Sequence, residues 1–431
     1  MDPQNEEILR IRKLVEECLR AALPAGTVMP GDDDDWIETE LLDSMKLVDV
    51  LVSIETALSF PNLFDQTVAP PPTTIRATVE AIRKTYREPI ERGIESAQTP
   101  QSFEKRGRYL VEIAGWGVAL GSERITADQV EHEFGLPPGT LTKRAGIEVI
   151  RRVSTSENEV SLAQAAAETA LQMAGFSAQR LDWIIGTSET LLGFPSLAAS
   201  MHTKLLAPGT CRVLDVGGAC VGLVNCLTVA KAFFGDDRVK CILVVSADVH
   251  SRMLVPGRVP GEFGGLFGDG ASAFVLRRAE GAEDDKRYAI LASIGGCAGT
   301  FSSALQVRLS SDGSIGLNFD GDALAHAAVD RIERVISDLE TISGIGREKA
   351  GGFAIHQPNP RIVEIILHRT QMPPDKVPQV ARSCGNLGSS TCGVALSMAL
   401  DECTKKSRDE RRPIFVASVG PGMLWGGTLL V

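Results

Sequence analysis

The sequence predicts a small all-α unit followed by a larger, layered α/β unit that contains an internal duplication. Three observations carry this expectation. Apolar residues recur at helical spacing up to residue 87; after residue 107 short apolar strands alternate with helices. Acidic charge is concentrated at the front: residues 1–87 hold 16 Asp/Glu against 9 Lys/Arg, in a chain of net charge −11. A helix start rich in small residues, followed by an apolar strand, also occurs twice at one spacing. Cys220 lies 26 residues before Ser246, and Cys392 lies 26 residues before Ser418.

The bulk properties agree with a large folded core. The chain has 431 residues, enough for two or three domains, with 44% hydrophobic residues and 42 glycines. No apolar run reaches the roughly 18 residues of a membrane span. The charged first segment, MDPQNEEILRIRKLVEECLRAAL, lacks a signal-peptide core, so no membrane association and a cytoplasmic location are expected. The nine cysteines are odd in number and show no metal-ligand spacing, which predicts reduced thiols and no metal. The acidic balance argues against nucleic-acid binding.

In order along the chain, the first helix is expected to present Leu9, Ile11, Leu14, Val15, Cys18, Leu19 and Ala22 as one apolar face. The loop PAGTVMPGDDDD follows, and a second helix starts at DSMKLVDVLVSIETAL. A third lies near TTIRATVEAIRKTY, with the threonine pair as its cap. Residues 1–87 thus read as a helical bundle, and the polar, weakly periodic residues 88–107 as a linker. The expected strands of the α/β unit are YLVEIAGWGVAL, LDWIIGTSE, CRVLDVGGA, CILVVSADV and ASAFVLRR. Its two halves span residues 108–283 and 284–431.

Cys220 invites a chemical reading. A strand leads through Gly-Gly-Ala into a helix that begins at this cysteine. A helix start offers free N–H groups and a positive dipole end, which stabilise a thiolate and lower its pKa from about 8.5. The same turn can equally hold a buried packing thiol. Of six histidines, His132, His202, His250, His326 and His368 read as surface or packing residues. His356 follows an apparent strand and precedes a proline turn, HQPNPR, which places an imidazole at the mouth of a sheet. Asn386, in SCGNLGSST, is either a turn residue or an amide projecting into a site.

Taken together these segments resemble ketoacyl-ACP synthase III, a condensing-enzyme branch of the thiolase superfamily, over residues 108–431. The matching segments are RAGI at 144–147, GGACVG around Cys220, FGDGASA at 267–273, HQPN at His356, GN at Asn386 and GPGMLWG at 420–426. The resemblance implies a thiolase-like layered α-β-α-β-α fold and a Cys220–His356–Asn386 triad. Cys220 would carry the acyl group as a thioester, with the N–H groups of Cys220 and Gly422 as oxyanion hole. His356 and Asn386 would stabilise the enolate released when a malonyl-type extender loses carbon dioxide. Phe194 corresponds to a phenylalanine that reaches the acyl pocket of the partner subunit, which implies a homodimer. Glu189 lies one position from the catalytic glutamate of hydroxymethylglutaryl-CoA synthase; Ser188 is the aligned residue, and Glu189 is set aside.

Two departures bear on the donor. Thr140 and Gly261 stand where the family places the tryptophan and arginine that sandwich the CoA adenine. Arg258 is near but out of register, and Arg144 can still meet a phosphate. Weak CoA binding is therefore expected, with the acyl donor arriving on a carrier protein. The front unit supplies a candidate: LLDSMKLVDVL resembles the signature of acyl carrier proteins, with 4'-phosphopantetheine attached at Ser44 by a phosphopantetheinyl transferase. The leading expectation is a decarboxylative ketosynthase of fatty-acid or polyketide type fused to its carrier. A carrier-dependent acyltransferase to an alcohol or amine, and a non-catalytic carrier-docking scaffold, are the alternatives.

Overall fold

The expected duplication appears as a repeated strand order. The computed structural model describes residues 3–24, 26–42, 44–57, 64, 71–87, 110–279, 288–299, 305–309, 315–319, 321–406 and 412–431. The chain divides into two compact units, Met1–Gln101 and Ser102–Val431. The segment read as a linker, 88–107, lies outside the described residues, as does most of FPNLFDQTV.

The first unit contains α1 (Pro3–Ala22), α2 (Ser44–Ala57) and α3 (Ile75–Arg87). They close on Ile11, Val15, Leu19, Trp36, Leu47, Val50, Ile54, Val79 and Ile82. Ile8 joins this core, whereas Leu9, expected on the apolar face, is exposed. Ile8 and Ile11 lie three apart and share a stripe with Val15 and Leu19; Leu9 is turned about 100° from Ile8. The acidic loop ties helices together: Arg12 pairs with Asp32 at 2.8 Å and Arg76 with Asp33 at 2.6 Å. Of the threonine pair, Thr74 caps α3 by accepting from the Ala77 N–H, while Thr73 donates to Asp35.

In the second unit the first half runs β1 (Val111–Leu120), α4 (Glu159–Ala174), β2 (Trp183–Thr187), β3 (Arg212–Asp215), α5 (Gly222–Phe233), β4 (Cys241–Val249), β5 (Asp269–Arg278). The second half runs β6 (Tyr288–Cys297), α6 (Gly321–Ser343), β7 (Gly352–Ile355), α7 (Pro360–Thr370), α8 (Ser390–Thr404), β8 (Ile414–Gly420), β9 (Leu424–Leu430). The nine strands form one sheet in the order β7-β8-β9-β6-β1-β5-β4-β2-β3. In the first half β2 pairs in parallel with both β3 and β4, in the second β7 pairs in parallel with β8, and the pairings that reach the centre are antiparallel. The halves join where Glu112 and Ile113 of β1 pair with Ala289 and Tyr288 of β6.

Strand alternation makes the layers. Ile242 and Val244 of β4 face a core shared with α5, α8 and the second half, while Leu243 and Val245 face α4. Ala354 and Val416 face the same central core, while Phe353, Phe415 and Ala417 face α6 and α7. The two halves of the sheet thus enclose a central core with α5 and α8, while α4 covers the outer face of the first half and α6 and α7 cover that of the second.

The equal cysteine–serine spacing now has a physical meaning. Ser418 on β8 donates to the Cys220 carbonyl at the start of α5, at 2.7 Å. Ser246 on β4 lies 3.0 Å from Ser390 Oγ at the start of α8. Each half thus holds the helix start of the other. Ser418→Ala leaves a buried carbonyl without its donor and is expected to cost about 1–3 kcal/mol, read as a lower urea midpoint with the secondary structure unchanged.

Candidate active site

Cys220 sits at a strained turn. After β3 the backbone passes through Gly218 (φ 144°) and Ala219 (φ 46°), a left-handed conformation that non-glycine residues rarely adopt, and enters α5. The cysteine is buried. Gly222 sets its neighbours: a Cβ there would lie 2.2 Å from Thr187 Oγ1, so the helix start rests directly on the end of β2. Glu189 lies two residues beyond that strand.

His356 immediately follows β7, and its N–H donates to the Ala417 carbonyl at 2.9 Å. Within the HQPN segment the other polar residues serve the backbone. Gln357 accepts from the N–H groups of Val380 and Ala381, at 2.9 and 3.1 Å, and Asn359 caps α7 by accepting from Ile362 N–H at 3.0 Å. Asn386 is stitched to the FGDG loop: its N–H donates to Leu266 O at 2.8 Å and its carbonyl accepts from Gly268 N–H at 2.9 Å. Its side-chain oxygen accepts from Gly388 N–H at 3.0 Å and Thr391 O–H at 3.1 Å, so the NH2 end is the one directed away from these contacts.

Two further residues stand in the same buried cluster. His250, taken for a surface or packing histidine, has only 3% of its side chain exposed and stands 3.6 Å from Glu189 Oε2. Its Nδ1 donates to Gly268 O at 3.1 Å, which leaves Nε2 toward the carboxylate. Glu189, set aside on register, donates its backbone N–H to Asp248 at 2.5 Å. Asp248 also accepts from the N–H and O–H of Ser389, at 2.8 and 2.5 Å. Gly388 (φ 58°) permits this crowding. A Cβ on it would lie 2.6 Å from the His250 ring, 2.8 Å from Asp248 and 3.0 Å from Glu189 Oε1. The Asn386 loop, the Cys220 turn and the His356 strand end therefore meet around Glu189, which acts electrostatically on both Cys220 and His356.

The charges are arranged against a resting thiolate. Burial pushes the Cys220 thiol well above its ordinary value, and the charge of Glu189 pushes it further, with that of Asp248. The helix start acts the other way and loses, which reverses the expectation of a lowered thiol. Burial pushes His356 down to about 4, slightly offset by Glu189, so the imidazole is neutral at pH 7. Burial also opposes charge on His250, but Glu189, Asp248 and Asp269 outweigh it and hold His250 up at about 9. Burial and the Glu189 charge raise Asp248 to about 6.

The remaining sequence-assigned residues lie elsewhere. Gly422 (φ 95°) follows β8 in the loop whose Gly420 abuts Cys220: a Cβ on Gly420 would sit 3.4 Å from the Cys220 nitrogen. Phe194 is 101% exposed and stands outside the buried cluster. Arg144 and Arg258 are exposed. A side chain at Gly261 would meet Leu136 at 2.8 Å and Phe134 at 3.0 Å, so the place of the expected arginine is already filled. Ser44 is the first residue of α2, in the other unit.

Residues 214–299 match the family described as 3-oxoacyl-[acyl-carrier-protein (ACP)] synthase III, and residues 342–431 match its C-terminal part. The β-ketoacyl-[acyl-carrier-protein] synthase III of Aquifex aeolicus is 30% identical over 323 residues, covering 74% of this chain and 98% of the relative. The chain belongs to the synthase III family. The Xylella fastidiosa synthase III is likewise 30% identical, over 339 residues, covering 75% of this chain and 98% of that protein. The Aquifex aeolicus crystal structure superposes with a TM-score of 0.66 at 28% identity, covering 74% of this chain and 99% of that one. This synthase III is thus an acyltransferase of the condensing-enzyme type with a thiolase-like fold. Of Glu189 and His250, only the second has a counterpart in the repeat, and a distant one. The offset that aligns Ser246 with Ser418 aligns His250 with Gly422, the loop against the nucleophile.

Because the thiolate is the reactive form, brief iodoacetamide treatment at pH 7.5 followed by peptide mapping is expected to label exposed Cys297 at least about tenfold faster than Cys220. The Cys220 rate is expected to climb about tenfold per pH unit up to pH 9. A plateau below pH 8 would contradict the raised thiol.

Proposed function

We propose that this synthase III performs a decarboxylative condensation and receives its thioesters from an acyl carrier domain fused at its own N-terminus. What supports the reading is that Cys220, His356 and Asn386 are all buried, that Glu189 acts electrostatically on both Cys220 and His356, and that Gly388 brings the Asn386 loop against the same carboxylate. Cys220 takes the acyl group as a thioester, and the N–H groups of Cys220 and Gly422 hold the oxyanion. A malonyl-type extender then loses carbon dioxide. Negative charge moves to its thioester oxygen, where His356 and Asn386 donate hydrogen bonds. Neutral donors suit this step because they bind the charge that develops rather than one already present. The carbanion attacks the acyl-Cys220 carbonyl, and the β-ketoacyl product leaves on its carrier.

The carrier reading rests on LLDSMKLVDVL, on the acidic three-helix unit and on Ser44 at the first position of α2. The filled place at Gly261 supports a donor that does not depend on an adenine sandwich. Phe194, fully exposed, supports a homodimer in which this ring enters the acyl pocket of the partner. Arg144 is assigned to a phosphate of the incoming arm.

The test is carbon dioxide release from malonyl-carrier by phosphopantetheinylated protein. Wild type is expected to release it, and Asn386→Ala and His356→Ala to lose about 10²–10³-fold while still forming acyl-Cys220. Acyl transfer to an amine or alcohol without any decarboxylation would sink the proposal. Intact mass after treatment with a phosphopantetheinyl transferase tests Ser44: Ser44→Ala must abolish the gain of one phosphopantetheine.

A further inference from the structure

The triad leaves one proton without an owner. Acylation turns the Cys220 thiol into a thioester, so its proton must go somewhere. The thiol is protonated at rest, and His356 is neutral and reserved as a donor to the thioester oxygen. Near the thiol, three buried side-chain atoms lack any hydrogen-bond partner: Glu189 Oε1, His250 Nε2 and His356 Nδ1. Buried polar atoms left unpaired are costly and mark a place where a substrate or a moving proton supplies the partner. Of the three, only the Glu189 atom belongs to a carboxylate, and Glu189 acts directly on the thiol.

We propose that Glu189 is a second catalytic residue of this site, the base that takes the Cys220 proton during acylation and returns it to the departing thiol, with His250 and Asp248 as the residues that position it. The inference rests on the acyl-transfer reading above. The step balances without a co-reactant. As the Cys220 Sγ–carbon bond forms at the donor carbonyl, the S–H proton moves to the Glu189 carboxylate. The tetrahedral intermediate collapses, the bond from carbon to the donor sulfur breaks, and the protonated Glu189 gives its proton to that sulfur. Acyl-Cys220 and a free donor thiol result, and Glu189 is a carboxylate again.

The surroundings suit a group that must change charge twice. Asp248 anchors the backbone of Glu189 at 2.5 Å and is itself held by Ser389. The His250 imidazole, fixed through Nδ1 by Gly268 O, places Nε2 3.6 Å from Glu189 Oε2, too far for a hydrogen bond yet close enough for charge attraction. The carboxylate is thus held in place from behind while its other oxygen carries no fixed donor. The groups that face it are Cys220, His356, His250 and Asp248. Two glycines create the arrangement, Gly222 bringing the thiol to the end of β2 and Gly388 bringing the Asn386 loop over the cluster.

Leaving-group chemistry tests this. Single-turnover acylation of Cys220 is followed by intact mass with two donors of the same acyl group (acetyl, butyryl and octanoyl in turn), an N-acetylcysteamine thioester and a thiophenyl ester. The alkyl thiolate is a strong base and needs a proton to depart; the aryl thiolate leaves without one. Glu189→Gln is expected to slow both donors, because each needs the Cys220 proton removed, with the alkyl donor slowed by about 10²–10³-fold and the aryl donor about tenfold less, because only the alkyl thiolate must be given that proton back. Glu189→Asp is expected to recover part of the alkyl rate. His250→Gln should show the same donor dependence to a smaller degree, and the far-ultraviolet spectrum and melting midpoint of each variant report whether it folds. Equal slowing of both donors in folded Glu189→Gln would rule out the return of the proton to the departing thiol and overturn the proposal. Unchanged or faster acylation would overturn it too, since the carboxylate would then merely oppose the thiolate. Wild type left unacylated by every donor would instead overturn the acyl-transfer reading, and this inference with it.

Discussion

The start of α5 is pinned from two sides, and the rest of the site depends on that constraint. From one side Gly222 rests on Thr187 with no room for a Cβ; from the other Ser418 holds the Cys220 carbonyl. The start of α8 is pinned in the same manner, by Ser246 on Ser390 and by Gly388 against His250 and Asp248. Every pin from a serine crosses between halves. The polar groups that gather at Cys220 therefore come from both: Glu189, Asp248 and His250 from the first, His356 and Asn386 from the second. Neither half would make the site alone, and the duplication is a functional requirement as much as a trace of origin.

The same packing sorts the charges. Burial disfavours the ionised form of every group it encloses, so the thiol rises and His356 falls, and both are neutral at rest. His250 escapes that outcome because Glu189 and Asp248 face it and Asp269 adds to the field that keeps it cationic, whereas Asp248 is raised by the same burial. Neutral reacting groups thus stand beside a compact ionic cluster. On the proposed reading, such a site would protect its nucleophile from chance alkylation and still keep a proton acceptor within reach.

Much of this was legible in the sequence because it is local. The change from helical to strand periodicity separated the two units, and the alternation of β4 and β8 fixed the layers. Cys220, His356 and Asn386 each sit in a short context, a strand end or a glycine turn, whose geometry follows from the residues beside it. Ile8 against Leu9 was a matter of one helical step. Glu189 and His250 were not legible, because what makes them partners is a pair of close approaches through space, at Gly222 and Gly388. Nothing within a few residues of either position announces them. The direction of the Cys220 shift failed for the same reason. The helix start that lowers a thiol is local, whereas the burial and the facing carboxylates that raise it are supplied by β2 and β4.

The filled place at Gly261 has a consequence for how the proposed reaction is fed. Two missing stacking partners cost about 1–3 kcal/mol, roughly a 5–150-fold loss of affinity for a nucleotide-bearing thioester. A free donor at micromolar concentration would then leave the site mostly empty. On the proposed carrier reading, a donor covalently attached to the same chain would be presented at about millimolar local concentration, roughly a thousandfold increase that more than covers this loss. Loss of the adenine sandwich would then be tolerable to a chain that carries its own donor. Selection for acyl-chain recognition then falls on the buried surroundings of Cys220 and on the ring at Phe194, not on the far end of the donor.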